Sequence, residues 1–246
     1  MINVQQINKS FGQKHVLKDV SLDIPEGETL AIIGRSGSGK SVLMKHIIGL
    51  MQPDSGRVFV DGVNINDISY AELRRVRQHF GVLFQGGALF DSMNSFENVA
   101  FPLRTFTSMN ESEVRNVVQE CLSMVELEDV GLKMPSELSG GMQKRVALAR
   151  AVALRPRYIL YDEPTSGLDP ETSNTIDELI KNLANQLNVT SIVVTHDMHS
   201  VLNIADRAAF IYEGRMHWTG TMDELHKSKD EILTAFVTAN EYKIGV

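Results

Sequence analysis

One short motif constrains this chain more than any other feature of its sequence. Residues 34–41 read Gly-Arg-Ser-Gly-Ser-Gly-Lys-Ser, which matches the pattern G-x-x-x-x-G-K-[ST] of a loop that cradles phosphates. The apolar residues 30–33 before it predict a buried strand, and the apolar positions of 42–48 after it predict a helix. Strand, loop and helix in this order predict an α/β fold that binds a nucleoside triphosphate. The alternative is a flexible glycine-serine loop.

The residue types inside the motif suit phosphate chemistry. Gly34, Gly37 and Gly39 allow the backbone to curl, so that consecutive N–H groups converge on phosphate oxygens at the positive end of the following helix. Lys40 supplies a point charge to the β- and γ-phosphates, and Ser41 supplies a hydroxyl to Mg²⁺.

Length and composition allow one large domain or a domain with an inserted subdomain. The chain has 246 residues, of which 43% are hydrophobic, and this is ample for a packed core. No apolar run approaches the roughly 18 residues that a membrane span requires. Residues 1–5 lack the charged and apolar regions of a secretory signal. We therefore expect a cytoplasmic protein.

Charge and cysteine content narrow the function classes further. The formal net charge of −7 disfavours nucleic acid as the partner, since phosphate backbones are bound by basic faces. The densest positive patch consists of Arg74, Arg75 and Arg77, which we interpret as a solvated helix face. The single cysteine, Cys121, lies in a helical apolar pattern and is interpreted as a small buried hydrophobe.

The pattern of apolar runs divides the chain. Residues 2–7 and 20–24 predict antiparallel strands, 53–63 predict a short strand between turns, and 80–84 predict another strand. After Gln85 the spacing of the apolar residues changes to one that is typical of helices.

The middle of the chain predicts an inserted helical subdomain over 86–156. Asn110 and Glu113 form a capping pair before apolar positions at helical spacing, and a further helix runs from about Gly140 until Pro156 stops it. The segments that follow are listed in chain order: a strand at 158–161, a helix at 171–187, a strand at 191–195, and a stretch of helical character at 222–246.

A second chemical motif ends the strand at 158–161. Asp162 and Glu163 follow it directly, as Mg²⁺-dependent phosphoryl transfer requires. Asp162 would hold the metal, directly or through water, and Glu163 would orient and deprotonate an attacking water. A pair of this kind also caps turns in many proteins. The motif gains weight because it follows the phosphate loop and continues into Pro-Thr-Ser-Gly-Leu-Asp-Pro at 164–170.

A third motif lies between these two. Residues 138–143 read Leu-Ser-Gly-Gly-Met-Gln and open a helix with a serine and two glycines. A helix N-terminus with a hydroxyl and bare N–H groups is an anion site, and it is also an ordinary helix cap.

Taken together, these residues resemble the ATP-binding cassette (ABC) ATPases over nearly the whole chain. Residues 138–143 match the signature motif of that family. Gln85 matches its loop glutamine, Asp169 ends its aspartate loop, and His196 in Val-Val-Thr-His-Asp matches its switch histidine. All of them occur in the order that the family shows.

The resemblance implies an α/β fold with a P-loop NTPase core, which is RecA-like with a mainly parallel sheet, an N-terminal antiparallel β subdomain and an inserted α-helical subdomain. It implies one ABC ATPase domain over 1–246, with the core at 1–85 and 157–220, the helical and signature subdomain at 86–156, and a C-terminal helical segment at 221–246. ATP and Mg²⁺ are the implied cofactors.

The resemblance also assigns roles to residues. Glu163 would be the general base, His196 would steady the γ-phosphate and the water, and Gln85 would reach metal and water. Mg²⁺ would be held by Ser41, Gln85 and Asp162, partly through water. The implied nucleotide-binding residues are Phe11 (on adenine), Gly34, Arg35, Ser36, Gly37, Ser38, Gly39, Lys40, Ser41, Asp162, Ser139, Gly140, Gly141 and Asp169. By residue chemistry alone, a histidine after a strand is structural in many proteins.

The family pattern further implies partners. Ser139 and Gly141 would act on ATP held by a second copy of the chain, so that ATP joins two subunits head to tail. With one nucleotide-binding domain and no membrane span, the chain resembles a motor subunit that docks on an integral-membrane permease, peripheral on the cytoplasmic face of the inner membrane.

The stretch 84–104 indicates which branch of the ABC family the chain resembles. Its run Gln-Gly-Gly-Ala-Leu-Phe-Asp-Ser, with Asp91 where many cassette importers have proline, and its later Phe-Pro-Leu-Arg resemble the ATPases of Mla/Mce-type phospholipid transporters. This resemblance implies a periplasmic Mce-domain lipid-binding protein in the same system. By packing alone, the stretch predicts a loop and helix that place Phe90, Phe96 and Phe101 inside the subdomain.

Other functions share the catalytic residues. These are the ATPase of a non-transporting membrane complex that controls cell-wall remodelling, and an importer for another substrate. A soluble cassette acting on ribosomes or DNA usually has two cassettes or a long coiled coil, and the sequence has neither.

Overall fold

The computed structural model describes residues 1–240, which form two compact units. The first contains residues 1–77 and 190–240, and the second contains residues 78–189. Among the described residues, no helix is both long and apolar enough to cross a bilayer.

The strands are β1 (Ile2–Phe11), β2 (Lys14–Ile24), β3 (Thr29–Ile33), β4 (Ser55–Val60), β5 (Val63–Asn64), β6 (Phe80–Leu83), β7 (Tyr158–Asp162), β8 (Thr190–Thr195), β9 (Arg207–Tyr212) and β10 (Arg215–Thr221). The helices are α1 (Lys40–Ile47), α2 (Tyr70–Arg77), α3 (Ser95–Phe106), α4 (Glu111–Met124), α5 (Gly140–Val152), α6 (Pro170–Leu187), α7 (Met198–Ile204), α8 (Met222–His226) and α9 (Glu231–Ala239), with a 3₁₀ turn at Pro135–Glu137.

The N-terminal strands of the first unit form an antiparallel sheet in the order β2-β1-β4-β5. Ile2 pairs with Ile24 on one side and with Val60 on the other. All three side chains are buried, because alternate residues of each strand face the core. The predicted antiparallel β subdomain is confirmed.

The remaining strands of the first unit form a mostly parallel arrangement in the order β10-β9-β3-β8. All five residues of β3 are buried, as expected of a strand covered on both faces. Ile33 at the end of β3 pairs with Thr195 of β8 and with Phe210 of β9. The carboxyl ends of β3 and β8 therefore lie side by side.

The C-terminal helices complete this core. Leu225 of α8 and Leu233 and Phe236 of α9 are buried in one cluster with Ile33 and Phe210. The predicted helical character of 222–246 is confirmed in α8 and α9, while its residues 241–246 lie outside the described residues.

In the second unit, β6 and β7 pair in parallel. A Cβ on Gly81 of β6 would lie 2.3 Å from the carbonyl oxygen of Ala151, so glycine allows α5 to approach the strand closely. The helix α5 ends at Val152, before the expected stop at Pro156. Arg155, the residue before Pro156, has a left-handed backbone with φ +51°, so the chain has already left the right-handed helix before the proline.

The helices of the second unit begin at well-formed caps. The predicted pair Asn110 and Glu113 forms a reciprocal capping box at α4, and Asn94 and Glu97 form another at α3. Cys121 on α4 is fully buried as predicted, and burial raises the pKa of its thiol to about 11. It is therefore a packing residue.

The aromatic residues of 84–104 are placed differently from the prediction. Phe90 and Phe101 are 41% and 38% exposed, with ring centroids 4.8 Å apart, and Phe96 is half-buried. The interior position belongs to Asn98, which is fully buried. Its amide nitrogen donates to three backbone carbonyls, and its oxygen accepts from the N–H of Phe90 at 2.9 Å. The amide of Asn98 thus fills the interior and bonds the preceding loop, while the rings of Phe90 and Phe101 lie at the surface.

Candidate functional site

The glycine-rich loop after β3 has the backbone that a phosphate cradle requires. Gly34, Gly37 and Gly39 all have positive φ, at +152°, +76° and +108°. A Cβ on Gly34 would lie 2.5 Å from the carbonyl oxygen of Ile211, and a Cβ on Gly39 would lie 2.7 Å from the side chain of Leu17. Both positions therefore require glycine for space as well as for conformation.

Lys40 begins α1 and turns its side chain back over the loop. It is only 6% exposed, and its Nζ donates to the carbonyl oxygens of Gly34 at 2.8 Å and Arg35 at 3.3 Å. The buried hydroxyl of Ser38 has no hydrogen-bond partner among the described residues. A cation, a buried hydroxyl without an acceptor and a helix N-terminus together suit the oxygens of a bound phosphate chain.

The rest of the loop is open to solvent. Arg35, Ser36 and Gly37 are exposed, and Ser41 in the first turn of α1 is half-buried. An anion can therefore approach the loop from solvent, at the positive N-terminal end of α1.

Two further predicted residues lie in the same unit. His196 is exposed directly after β8, and the pairing of Ile33 with Thr195 brings it to the sheet edge from which the glycine-rich loop emerges. Phe11 ends β1, is 47% exposed, and has the Nζ of Lys9 at 5.8 Å from its ring centroid. Its hairpin partner β2 contributes Leu17, which lies next to Gly39.

The second unit brings together Gln85, Asp162 and Glu163. Leu83 of β6 pairs with Tyr161 of β7, so the residues after both strands lie at one edge. Asp162 and Glu163 are half-buried, and Glu163 has a left-handed backbone with φ +48°.

The signature residues open α5. The hydroxyl of Ser139 accepts the N–H of Met142 at 3.2 Å, so the serine is a helix cap, and both Ser139 and Gly140 are exposed. A Cβ on the buried Gly141 would lie 2.5 Å from the methyl of Thr172 on α6, which explains the glycine there.

Asp169 is the N-cap of α6. Its carboxylate accepts the N–H of Thr172 at 3.0 Å and the Thr172 hydroxyl at 2.6 Å. These hydrogen bonds lower the pKa of Asp169. The residue is exposed and ionised at neutral pH.

Sequence reasoning missed two cations of α5 that hold the loop of Gln85. The Nζ of Lys144 donates to the carbonyl oxygen of Gln85. Arg150 donates to the carbonyl oxygens of Gly87 at 2.9 Å and Ala88 at 2.8 Å. The sequence signal for Lys144 was its position on an otherwise apolar helix face, which also carries Ala147, Leu148 and Ala151.

The predicted site residues thus fall into two groups. The glycine-rich loop, Phe11 and His196 belong to the first unit, and Gln85, Asp162, Glu163, Asp169 and the signature residues belong to the second.

A sequence model of the ABC transporter family matches residues 17–166, which include the glycine-rich loop, Gln85, the signature residues and Glu163. The chain belongs to the ABC transporter family. It is an ATP-binding cassette that hydrolyses ATP, with the α/β fold expected of such a cassette.

Curated relatives of this cassette cover almost all of it. It is 42% identical over 244 residues to the probable ribonucleotide transport ATP-binding protein mkl of Mycobacterium leprae, covering 99% of this chain and 70% of that protein. It is 42% identical to the intermembrane phospholipid transport system ATP-binding protein MlaF of Haemophilus influenzae, covering 96% of this chain and 90% of that one. The Escherichia coli MlaF is 39% identical over 96% of this chain and 88% of its own length.

Among solved structures, the cassette resembles MJ0796, described as a dimer in a post-hydrolysis state bound to ADP and Pi. The TM-score is 0.83 at 36% identity, and the match covers 90% of this chain and 99% of that chain.

Proposed function

We propose that this cassette is the ATP-hydrolysing motor of a phospholipid transport system. The observation that carries the proposal is the 42% identity to the Haemophilus influenzae MlaF over 90% of the length of that protein. The Mycobacterium relatives carry a ribonucleotide transport name, and 70% of the Mycobacterium leprae protein is covered. The Mla-like stretch at 84–104 supports phospholipid as the substrate class.

Within the chain, we assign the phosphates of ATP to the glycine-rich loop. Lys40 and the loop N–H groups bind the β- and γ-phosphates, and Phe11 offers an exposed ring for adenine. Glu163 takes the proton of the attacking water, and His196 steadies the γ-phosphate.

The side chains offered to a metal ion suit Mg²⁺. Ser41, Gln85 and Asp162 would hold it with hydroxyl, amide and carboxylate oxygens, which are the ligands this ion takes. Within residues 1–240 there is no cluster of three or more His, Cys, Asp or Glu side chains that could hold a metal ion. This suits an ion held mainly by phosphates, water and a few protein oxygens. When bound, Mg²⁺ neutralises charge that develops on the phosphate oxygens.

We further propose that two copies work as a head-to-tail dimer on the cytoplasmic face of the inner membrane. Ser139, Gly140 and Gly141 of one copy would close on ATP held by the other, because the cap leaves that helix end exposed. The dimer would dock on a permease linked to a periplasmic Mce-domain protein, with no role for nucleic acid. We retain the division into a core (1–85 and 157–220), a helical subdomain (86–156) and a C-terminal segment (221–246).

Cross-linking tests the dimer. With Ser139→Cys, Ser36→Cys and Cys121→Ala in one chain that also carries Glu163→Gln, we expect an ATP-dependent disulfide between two copies, because the exposed Ser36 and Ser139 would meet across the interface. The parent chain with only Cys121→Ala is the control. Only intramolecular products under saturating ATP would contradict the head-to-tail arrangement.

Co-purification from solubilised membranes tests the transport assignment. We expect the tagged chain to bring down a permease together with an Mce-domain protein, and ATP hydrolysis by that complex to respond to phospholipid. Recovery of a cell-wall remodelling complex, or of a permease with a different soluble-substrate receptor, would refute the phospholipid assignment while leaving the ATPase intact.

A further inference from the structure

Four residues of the second unit form a closed ring of contacts at the ends of β6 and β7. The Nζ of Lys144 donates to the carbonyl oxygen of Gln85 and, at 3.5 Å, to that of Glu163. The N–H of Ser166 donates to the same Glu163 oxygen at 3.2 Å. The side-chain amide of Gln85 donates to the Ser166 hydroxyl at 3.3 Å and closes the ring.

The lysine in this ring is buried at a cost. Lys144 is only 6% exposed, and burial lowers the pKa of its ammonium, while the nearby Asp162 and Glu163 act in the opposite direction. An apolar side chain would fill this face of α5 without desolvating a charge. The ammonium instead uses its donors on two main-chain carbonyls, and both belong to residues with assigned roles in hydrolysis.

The backbone of Glu163 needs such support. Its φ of +48° is a left-handed conformation, which a residue with a Cβ adopts only at an energetic cost. A residue of this kind keeps its conformation only where surrounding contacts hold it. The two donors on its carbonyl, from Lys144 and Ser166, fix the orientation of that peptide.

We propose that Lys144 is a positioning residue for ATP hydrolysis, which holds the main chain of Gln85 and Glu163 so that both side chains keep the geometry that the reaction requires. The inference rests on the roles proposed for Gln85 and Glu163. Lys144 lies on the same helix as Ser139 and Gly141. The helix α5 thereby links the contact of the signature residues with ATP to the position of Glu163.

Steady-state kinetics of the full chain provide the first test. Lys144→Met is expected to lower kcat by on the order of 10- to 100-fold, the usual cost of a small misplacement, and to leave KM for ATP within about twofold. Lys144→Arg keeps the charge and the donors, so its kcat should lie closer to the parent. Lys181→Met, at an exposed position of α6, is the matched control. An unchanged kcat in Lys144→Met, or an Arg variant no better than the Met variant, would overturn the proposal.

Folding is checked by thermal unfolding and by ATP affinity of each variant. Lys144→Gln buries no charge and retains an amide donor, so it replaces Lys144→Met if that variant does not fold. Its kcat must also fall, because the shorter side chain cannot reach both carbonyls. A folded Gln variant with parental kcat would refute the role of Lys144.

A double-mutant cycle separates this inference from the role of Glu163. In single-turnover assays, Lys144→Met should lower the rate by a smaller factor on the Glu163→Gln background than on the parent background, because the part of its effect that acts through the base is already lost. The same fold-loss on both backgrounds would show that Lys144 acts elsewhere. Normal turnover in Glu163→Gln alone would instead reject the proposed base.

Discussion

Glu163→Gln is expected to bind ATP like the parent and to lower turnover by a factor on the order of 10² to 10⁴, the usual contribution of a positioned general base. Glutamine still accepts a hydrogen bond from water, but it cannot take the proton. The variant should accumulate as an ATP-bound dimer at high protein concentration. Steady-state hydrolysis with Mg²⁺ and size-exclusion chromatography with ATP measure the two effects.

The matched control for this change is Glu213→Gln. Glu213 is exposed and has φ +50°, so the substitution removes a carboxylate from the same backbone conformation in the turn between β9 and β10. It should hydrolyse ATP like the parent. Parental turnover in Glu163→Gln would remove Glu163 from the role of base.

Lys40→Ala should lose tight ATP binding, with an affinity at least about tenfold lower, equivalent to roughly 1.4 kcal/mol. The reason is that the buried ammonium is the cation that bridges the glycine-rich loop, through Gly34 and Arg35. Its removal takes a charged donor from the β- and γ-phosphates and leaves two loop carbonyls without this partner. Equilibrium binding of ATP measures the loss.

Lys45→Ala is the control on the same helix. Lys45 is exposed in the last turn of α1, so its removal takes away a positive charge without touching the loop. It should bind ATP like the parent. An affinity of Lys40→Ala within about twofold of the parent would show that Lys40 is not in the site.

Burial in the stretch 84–104 differs from what the hydrophobicity of its side chains predicts. Apolar side chains at 90 and 101 predict burial, yet both rings are exposed, while the polar Asn98 is buried. The amide is stable there because its hydrogen-bonding groups meet backbone partners in the loop before α3. Hydrophobicity alone does not show which polar groups will find partners.

The glycine-rich loop, the strand and helix around it and the capping box of α4 could be predicted from the sequence, because each depends on residues close together in the chain. The family could also be predicted, from the order of its motifs along the chain. Positive φ at Gly34, Gly37 and Gly39 is a local property of glycine. The hydrogen bonds from Lys144 to the main chains of Gln85 and Glu163 could not be predicted in this way. Those contacts depend on how closely α5 packs on β6, which Gly81 permits, and no periodic pattern in the chain records that distance.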